Sequence, residues 1–301
     1  MELWIPITLA AAFLQNIRSG LQKHLKGVMG TTGATFVRFG FGAPFVMLLL
    51  GTLHFGVGYP MPALSVRFLV WALVGGLAQI AATFLLVHLF SLRNFAAGTA
   101  YSRTEPAMAA GFGLLLLGEP VGPRPLVAIA ICVAGVMLLS LARMTLTARS
   151  LLGALTQPSA LIGLASGLLF GLSAVSYRAA STSLGGPNVL MQGTVTLAVV
   201  ITGQTLLMGG WIVLREPGEL ARIRAAWRPA LVVGLAGATA SRGWFTAMTL
   251  QNAGVVKALA QVEMLFTLAT SILIFREKVN GRELAACGLI VAGLLVLLTG
   301  R

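Results

Sequence analysis

The sequence predicts an all-α polytopic membrane protein, with ten transmembrane helices arranged as two inverted five-helix repeats. Hydrophobic residues make up 57% of the 301 residues and charged residues only 10%, whereas a soluble domain carries about 25% charged residues. Apolar runs of about 18 residues or more recur along the whole chain, and this is the length that a helix needs to cross a bilayer. An internal repeat is the third observation that supports this fold class.

The second half of the chain repeats the pattern of the first half 158 residues later, without a gap. Apolar letters match often by chance in a membrane protein, but a frame that also aligns charged residues is much rarer. The matched charged pairs are Glu105 with Glu263, Glu119 with Glu277, Arg124 with Arg282 and Arg143 with Arg301. We therefore interpret residues 1–143 and 159–301 as two copies of one unit, joined by a linker at 144–158 that is richer in Ser and Thr.

Each predicted span has about the length that a hydrocarbon core of ~30 Å requires. The spans are 3–22, 32–54, 67–90, 96–117, 124–142, 159–181, 187–213, 229–250, 255–275 and 282–300. Turn residues separate them, as in the Gly-Tyr-Pro-Met-Pro of 58–62 and the Asn-Gly of 280–281. The charged segment 215–228 is either a cytoplasmic loop or a short interfacial helix. Because five is an odd number, two such halves in series must lie in opposite orientations in the bilayer.

The charge balance also bears on the class of protein. The net charge is +13, and all eight acidic residues are Glu. Cytoplasmic loops of membrane proteins are rich in Lys and Arg, and no basic patch is interleaved with aromatic residues, so we expect no nucleic-acid partner. Cys132 and Cys287 each lie alone in an apolar span, which predicts neither a disulfide nor a metal site, and we expect no cofactor.

Short motifs at the end of the fourth span and in the fifth identify a family resemblance. They are Glu105-Pro106, Gly118-Glu119 and Gly135-Val136, and the second half keeps Glu263, Glu277 and Gly293 but has Met264 and Arg276 where Pro and Gly would be usual. The chain resembles the drug/metabolite transporter superfamily, in its ten-span EamA-type members. The resemblance implies a non-enzymatic carrier of small polar metabolites such as amino acids, in the plasma membrane (the inner membrane of a prokaryote), and export is the expected direction.

Polar side chains inside the spans are the candidates for a substrate site. Ionisable groups at membrane depth are costly, so they usually face a cavity or a partner. The candidate cavity-lining residues are Gln15, Arg18, Gln79, Tyr101, Glu105, Ser173, Tyr177, Arg242, Trp244, Thr246, Gln261 and Glu263. We predict no catalytic and no metal-ligating residue. A structural alternative applies to Arg18, which could extend its side chain to the nearby membrane interface.

The two deep glutamates are candidates for proton coupling. Burial favours the neutral form of a carboxyl, so Glu105 or Glu263 could carry a proton. On a continuous helix Tyr101 and Glu105 share a face and Arg103 points away from it. Arg242 and Glu263 lie deep in neighbouring spans, which predicts an ion pair between them.

Three questions stay open at this level. The substrate could instead be a phosphorylated sugar or a nucleotide-sugar, bound by Arg18, Arg103, Arg178, Arg242 and Lys257, or a lipid-linked compound that a flippase moves. The distribution of Lys and Arg predicts both termini outside the cell, whereas the family resemblance implies cytoplasmic termini. Spans five and ten are expected to serve as packing surfaces or as the interface of a homodimer.

Overall fold

The structure is a computed structural model that describes residues 2–92, 99, 101–141, 157–186, 188–273 and 280–299. Within these residues the chain forms helices and no β-strand. The helices of the first repeat are α1 (Trp4–Leu25), α2 (Thr31–Gly40), α3 (Ala43–Gly51), α4 (Val66–Leu89), α5 (Glu105–Leu117) and α6 (Pro123–Leu141), and a π-helical turn (Thr52–Gly56) extends α3. Those of the second are α7 (Pro158–Ser183), α8 (Val189–Arg215), α9 (Gly218–Ala225), α10 (Trp227–Leu250), α11 (Ala253–Leu259), α12 (Val262–Leu273) and α13 (Gly281–Thr299).

Five helical segments in the described part of the chain are long and apolar enough to cross a membrane. They are Thr31–Gly56, Val66–Leu89, Pro158–Ser183, Val189–Arg215 and Gly281–Thr299. The all-helical, multi-pass prediction is therefore confirmed, whereas the count of ten spans stays a prediction. Two of the other predicted spans, α1 and α10, carry arginine and several uncharged polar residues, which lower their hydropathy.

The fourth and ninth predicted spans are not continuous helices, and this corrects the sequence analysis. In the first repeat a turn at Arg103 and Thr104 precedes α5, and the Thr104 N–H bonds to the carbonyl of Tyr101, three residues back. In the second repeat a turn at 260–261 separates α11 from α12. The two breaks overlap at the repeat-equivalent positions Arg103 and Gln261. Since α12 has no proline in its first turn, a break at this position does not require a proline.

The packing of the helices follows the internal repeat. Helix α1 packs along α10, and its repeat equivalent α7 packs along α4, the equivalent of α10. The equivalents α6 and α13, whose bounds are 158 residues apart, pack against each other. Such an exchange of partners is what a pseudo-two-fold axis between the repeats produces, so the structure agrees with the repeat that the sequence predicts.

The α6–α13 contact lies on this axis and depends on glycine. A Cβ atom on Gly135 would stand 2.9 Å from the backbone nitrogen of Ile290, and one on Gly293 would stand 3.0 Å from that of Cys132. Glycine at these two positions lets the helix backbones approach closely. The prediction that spans five and ten are packing surfaces is thus met within one chain, and their role in a homodimer stays a prediction.

The segment after α8 contains a helix, so the short-helix reading of 215–228 is the correct one. Within α9, Glu219 is 5% exposed and its carboxylate accepts a 2.8 Å hydrogen bond from the backbone N–H of Gly30, which precedes α2. A carboxylate is favourable at a helix N-terminus because of the helix dipole. Helix α9 therefore ties the second repeat to the first. Most of the predicted linker at 144–158, together with Arg143, Glu277 and Arg301, lies outside the described residues.

Candidate functional site

A polar cavity of about 50 Å³ lies at the centre of the bundle, between the two repeats. Eight of the predicted site residues line it: Gln15, Arg18, Gln79, Glu105, Ser173, Tyr177, Trp244 and Glu263. The volume accommodates about one or two water molecules, whereas pockets for small organic ligands usually measure about 300–1,000 Å³. The central cavity is thus smaller than a pocket for a small organic ligand.

The helix breaks place both deep glutamates at this cavity. Glu105 is the first residue of α5, and Glu263 is the second residue of α12. Because the partial positive charge of a helix lies at its N-terminus, each break provides a favourable position for a carboxylate. The breaks meet at the pseudo-two-fold axis, where the Gln261 side chain donates a 3.4 Å hydrogen bond to the backbone carbonyl of its repeat equivalent, Arg103.

Two ion pairs at the cavity cross from one repeat to the other. The Arg103 guanidinium lies 3.0 Å from the carboxylate of Glu263, and the Lys257 ammonium lies 2.8 Å from the carboxylate of Glu105. Each glutamate therefore pairs with a cation of the opposite repeat. Buried charges are costly to desolvate, and an oppositely charged partner offsets part of this cost. The Arg103–Glu263 contact is also a hydrogen bond, whereas the Glu105–Lys257 contact is an ion pair without hydrogen-bond geometry.

A hydrogen-bonded chain links these pairs to Trp244. The indole N–H of Trp244 donates to the side-chain oxygen of Gln15 at 2.9 Å, and the Gln15 amide donates to Glu263 at 3.0 Å. The ammonium of Lys257 lies 4.8 Å from the centre of the Trp244 ring, within the range of a cation–π interaction. Trp244 therefore contacts the Glu105–Lys257 pair directly, at Lys257. It is linked to the Arg103–Glu263 pair by way of Gln15.

A second polar cluster lies where α4, α7 and α8 meet. The Tyr177 hydroxyl donates to the side-chain oxygen of Gln79 at 2.9 Å, and the Gln204 amide donates to the same oxygen at 3.0 Å. The Tyr177 ring stacks on Phe245 with their centres 4.3 Å apart. These contacts fix the orientation of Tyr177, which lines the cavity along with Gln79.

Four predicted site residues lie outside the cavity lining: Tyr101, Arg242, Thr246 and Gln261. Thr246 is buried against α8, where its amide and hydroxyl lie 3.3 Å from the position of a Cβ on Gly193. The expected ion pair of Arg242 with Glu263 is wrong, because Glu263 pairs with Arg103. The expectation that Arg103 points away from Glu105 is also wrong, since the turn at residues 103 and 104 brings both side chains to the cavity.

Sequence reasoning left three charged lining residues out of the candidate set: Arg38 in α2, and Arg103 and Lys257, which it considered only as ligands of an anionic substrate. A single arginine inside the predicted span 32–54, in the stretch Phe-Val-Arg-Phe-Gly, was a usable signal. Other lining residues that it did not select are Ser19, Leu86, Ser102, Phe170, Ala174, Ser241, Phe245 and Met248. Neutral side chains of this kind give no distinct signal in a sequence that is 57% hydrophobic.

Arg178 has a structural role that removes it from the candidate anion ligands. Its Nε lies 2.7 Å from the carboxylate of Glu119, and its Nη1 donates to the backbone carbonyls of Met248 and Gln251 at 2.7 and 2.8 Å. Arg178 thus caps the C-terminus of α10 with a positive charge, as the helix dipole favours. Glu119 lies in the loop before α6, where it contacts the second repeat instead of opening the helix.

Two larger grooves lie on the outer surface, between α4 and α8. Their volumes are about 410 and 480 Å³, and apolar side chains such as Leu73, Leu77 and Leu207 dominate their linings. In a membrane such surfaces contact lipid chains, which need no polar partner. The small central cavity, with its buried charges, is therefore the better candidate for a functional site.

Comparisons with known proteins agree with the fold and the repeat. No curated protein matches the chain. One crystal structure of a protein superposes with a TM-score of 0.73 at 18% sequence identity, over 98% of this chain and 96% of the other, and this likeness shows the fold. The family model of the EamA-like transporter family matches twice, at residues 2–141 and 157–299. The chain therefore belongs to the EamA-like transporter family, within the drug/metabolite transporter superfamily.

Proposed function

We propose that the protein is a secondary active transporter that moves a small polar metabolite, an amino acid or a related compound, out of the cell by alternating access. The observation that carries the proposal is the polar cavity between two repeats whose outer surface is apolar. Helix breaks that flank a central cavity between repeats are typical of substrate sites in secondary transporters. Family membership supports the transporter class, and export is the direction that the resemblance favours.

The proposal includes ten spans and inverted repeats in the inner membrane of a prokaryote. Helices α6 and α13 have matching bounds 158 residues apart, and the helix contacts exchange between the repeats as a two-fold axis requires. If each repeat has five spans, the axis lies in the membrane plane and the cavity lies near the bilayer centre. The short length of α5 and α12 would then reflect the two breaks and not a missing span.

Transport requires the cavity to enlarge. At about 50 Å³ it cannot hold an amino acid, so the repeats must move apart on one side at a time. The ion pairs Arg103–Glu263 and Glu105–Lys257 join the repeats across this cavity. We propose that substrate or a proton replaces one partner of these pairs when the site opens. Protonation of Glu105 or Glu263 would neutralise the carboxylate and release its cation, which would couple transport to a proton gradient.

Counterflow in proteoliposomes tests the proposed transport. Vesicles that contain purified protein are loaded with a mixture of the twenty amino acids, and the uptake of each labelled amino acid is measured. We expect counterflow of at least one amino acid, with protein-free vesicles as the blank. Arg224→Gln, on the exposed face of α9, is the control variant and should match the unchanged protein. Properly inserted protein that exchanges no amino acid would contradict this substrate class.

The charge distribution and the family resemblance predict opposite orientations of the termini, and this difference can be tested. Alkylation of a single cysteine placed beside Leu3 or after Thr299 reports which side of the membrane each terminus faces. Family membership predicts protection from an impermeant reagent in intact cells, whereas the charge distribution predicts labelling. We propose cytoplasmic termini, and rapid labelling in intact cells would contradict this.

A further inference from the structure

We propose that Arg18 and Arg38 form an oxyanion-binding subsite of the central cavity, so that the transported molecule carries a carboxylate or phosphate group. This inference rests on the proposed transport function and names the chemical class of its substrate. The subsite joins α1 and α2 of the first repeat, against α10 of the second. Its two side chains differ from the other cavity cations because neither forms an ion pair with a carboxylate in the described part of the chain.

Both guanidinium groups are buried. Arg18 and Arg38 are each 5% exposed, and neither has a carboxylate within 4.0 Å among the described residues. The Nε of Arg18 has no hydrogen-bond partner there, and its Nη2 reaches only Ser19, at 3.3 Å. Arg38 donates to the hydroxyl of Thr83 at 3.1 Å. Because a guanidinium has five N–H donors, most of the hydrogen-bonding capacity of the pair is unused by the protein.

The two side chains lie side by side on one glycine of α10. A Cβ atom on Gly237 would stand 3.3 Å from Cδ of Arg18 and 3.5 Å from Cγ of Arg38. Both arginines line the cavity, and Ser241, one helical turn after Gly237, lines it as well. The glycine therefore leaves room for both arginine stems, and both side chains line the same cavity.

Like charges that line one small cavity repel each other unless an anion lies between them, and the repulsion is stronger where the dielectric constant is low. A guanidinium is also suited to an oxyanion, because its planar N–H groups match the two oxygens of a carboxylate or phosphate. The geometry of Arg18 and Arg38 is thus that of a site completed by an anion from outside the protein.

The charge balance of the cavity gives an independent argument. Four cations line it, Arg18, Arg38, Arg103 and Lys257, against the two carboxylates of Glu105 and Glu263. Each carboxylate is already paired with a cation, which leaves an excess positive charge at Arg18 and Arg38. In this arrangement each carboxylate already has a cation, so the uncompensated charge of the lining is positive and favours a substrate that carries an acidic group.

Thermal unfolding of the purified full-length protein tests the subsite. The probes are succinate and inorganic phosphate, with the neutral diamide succinamide and sodium chloride at equal ionic strength as controls. We expect saturable stabilisation by at least one of the two anions and none by succinamide or chloride. A response to succinate alone identifies a carboxylate site, and a response to phosphate alone identifies a phosphate site. Equal stabilisation by succinamide, or none by either anion, would overturn the proposal.

Substitutions assign the response to the two arginines. In Arg18→Gln and Arg38→Gln the concentration for half-maximal stabilisation should rise about ten-fold or more, because each variant loses charge-assisted hydrogen bonds to the anion. Arg224→Gln should leave it unchanged. If a glutamine variant does not fold, Arg18→Lys and Arg38→Lys, which keep the charge but lose the planar fork, should still show weaker binding. Unchanged binding in both lysine variants, or in both glutamine variants, would overturn the assignment.

This design separates the two proposals. If anions bind through Arg18 and Arg38 but no labelled anion exchanges in proteoliposomes, the subsite stands and the transport function fails. If neutral or cationic metabolites exchange while the arginine variants bind and transport normally, the transport function stands and the subsite fails.

Discussion

Two of the regions where the repeats meet share one symmetry but use opposite chemistry. Between α6 and α13 the contact consists of Gly135 and Gly293, each against the backbone of the facing helix. At the central cavity the contact consists of the crossed ion pairs Arg103–Glu263 and Glu105–Lys257. One region is apolar and closely packed, and the other is polar and encloses a cavity.

This difference indicates which region can move. Closely packed backbones have few alternative arrangements, because any shift opens a void or creates a clash. Charged side chains beside a cavity can exchange their partners for water, a proton or a substrate. We therefore expect α6 and α13 to stay together through the transport cycle while the contacts of the cavity rearrange. The following predictions test this contrast, from the largest expected effect to the smallest.

The largest effect is expected for Glu263→Gln. The change leaves Arg103 without its carboxylate, and breaking a buried ion pair costs about 3–5 kcal/mol. We expect the free energy of unfolding to decrease by about 3 kcal/mol, near the lower end of this range, because the Arg103 side chain is 24% exposed. The temperature of thermal unfolding, the rate of gradient-driven transport and the rate of counterflow should all decrease. Adding Arg103→Gln should restore part of the stability, and a double variant no more stable than the single one would contradict the pairing.

Overpacking the helix contact should affect stability without affecting the site. Gly135→Ala places a methyl group 2.9 Å from the Ile290 nitrogen, and we expect the free energy of unfolding to decrease by about 2 kcal/mol. Substrate affinity of the folded fraction should not change. Gly288→Ala is the matched control on α13, because its added Cβ meets no atom within 4 Å. A change of affinity in Gly135→Ala would show that this region is coupled to the cavity.

Glu105→Gln should have a moderate effect on stability and a selective effect on transport. The two side chains of the Glu105–Lys257 pair are 16% and 13% exposed, and we expect the free energy of unfolding to decrease by about 1.5 kcal/mol. If Glu105 carries the coupled proton, accumulation driven by a pH gradient should disappear while counterflow continues. Both rates are measured in the same vesicles, and normal gradient-driven accumulation would exclude Glu105 as the coupling group.

The smallest effect is expected for Trp244→Phe. This change removes the indole N–H that donates to Gln15 and keeps an aromatic ring near Lys257. We expect a loss of stability of about 1 kcal/mol and a KM increased a few-fold, as measured by counterflow at several substrate concentrations. An unchanged KM would show that the Trp244–Gln15 bond does not orient Glu263.

The sequence by itself determined the fold class and the repeat. Long apolar runs need a helix in a bilayer, because a helix satisfies its own backbone hydrogen bonds. The alignment of Glu105 with Glu263 identified both glutamates as candidate site residues, and both line the cavity. Eight of the predicted polar residues lie there for the same reason, namely that polar groups within spans avoid lipid.

Only the tertiary structure decided which charges meet. Sequence periodicity assumes an unbroken helix, and on such a helix Arg103 points away from Glu105. The turn at residues 103 and 104 changes that direction, and the two-fold packing then brings Arg103 to Glu263 instead of Arg242. Arg38 is visible in the sequence as a lone arginine within a span, but its position near Arg18 at Gly237 is set only by the tertiary structure. Partner choice depends on distances between helices, and these are set by the packing of the whole bundle.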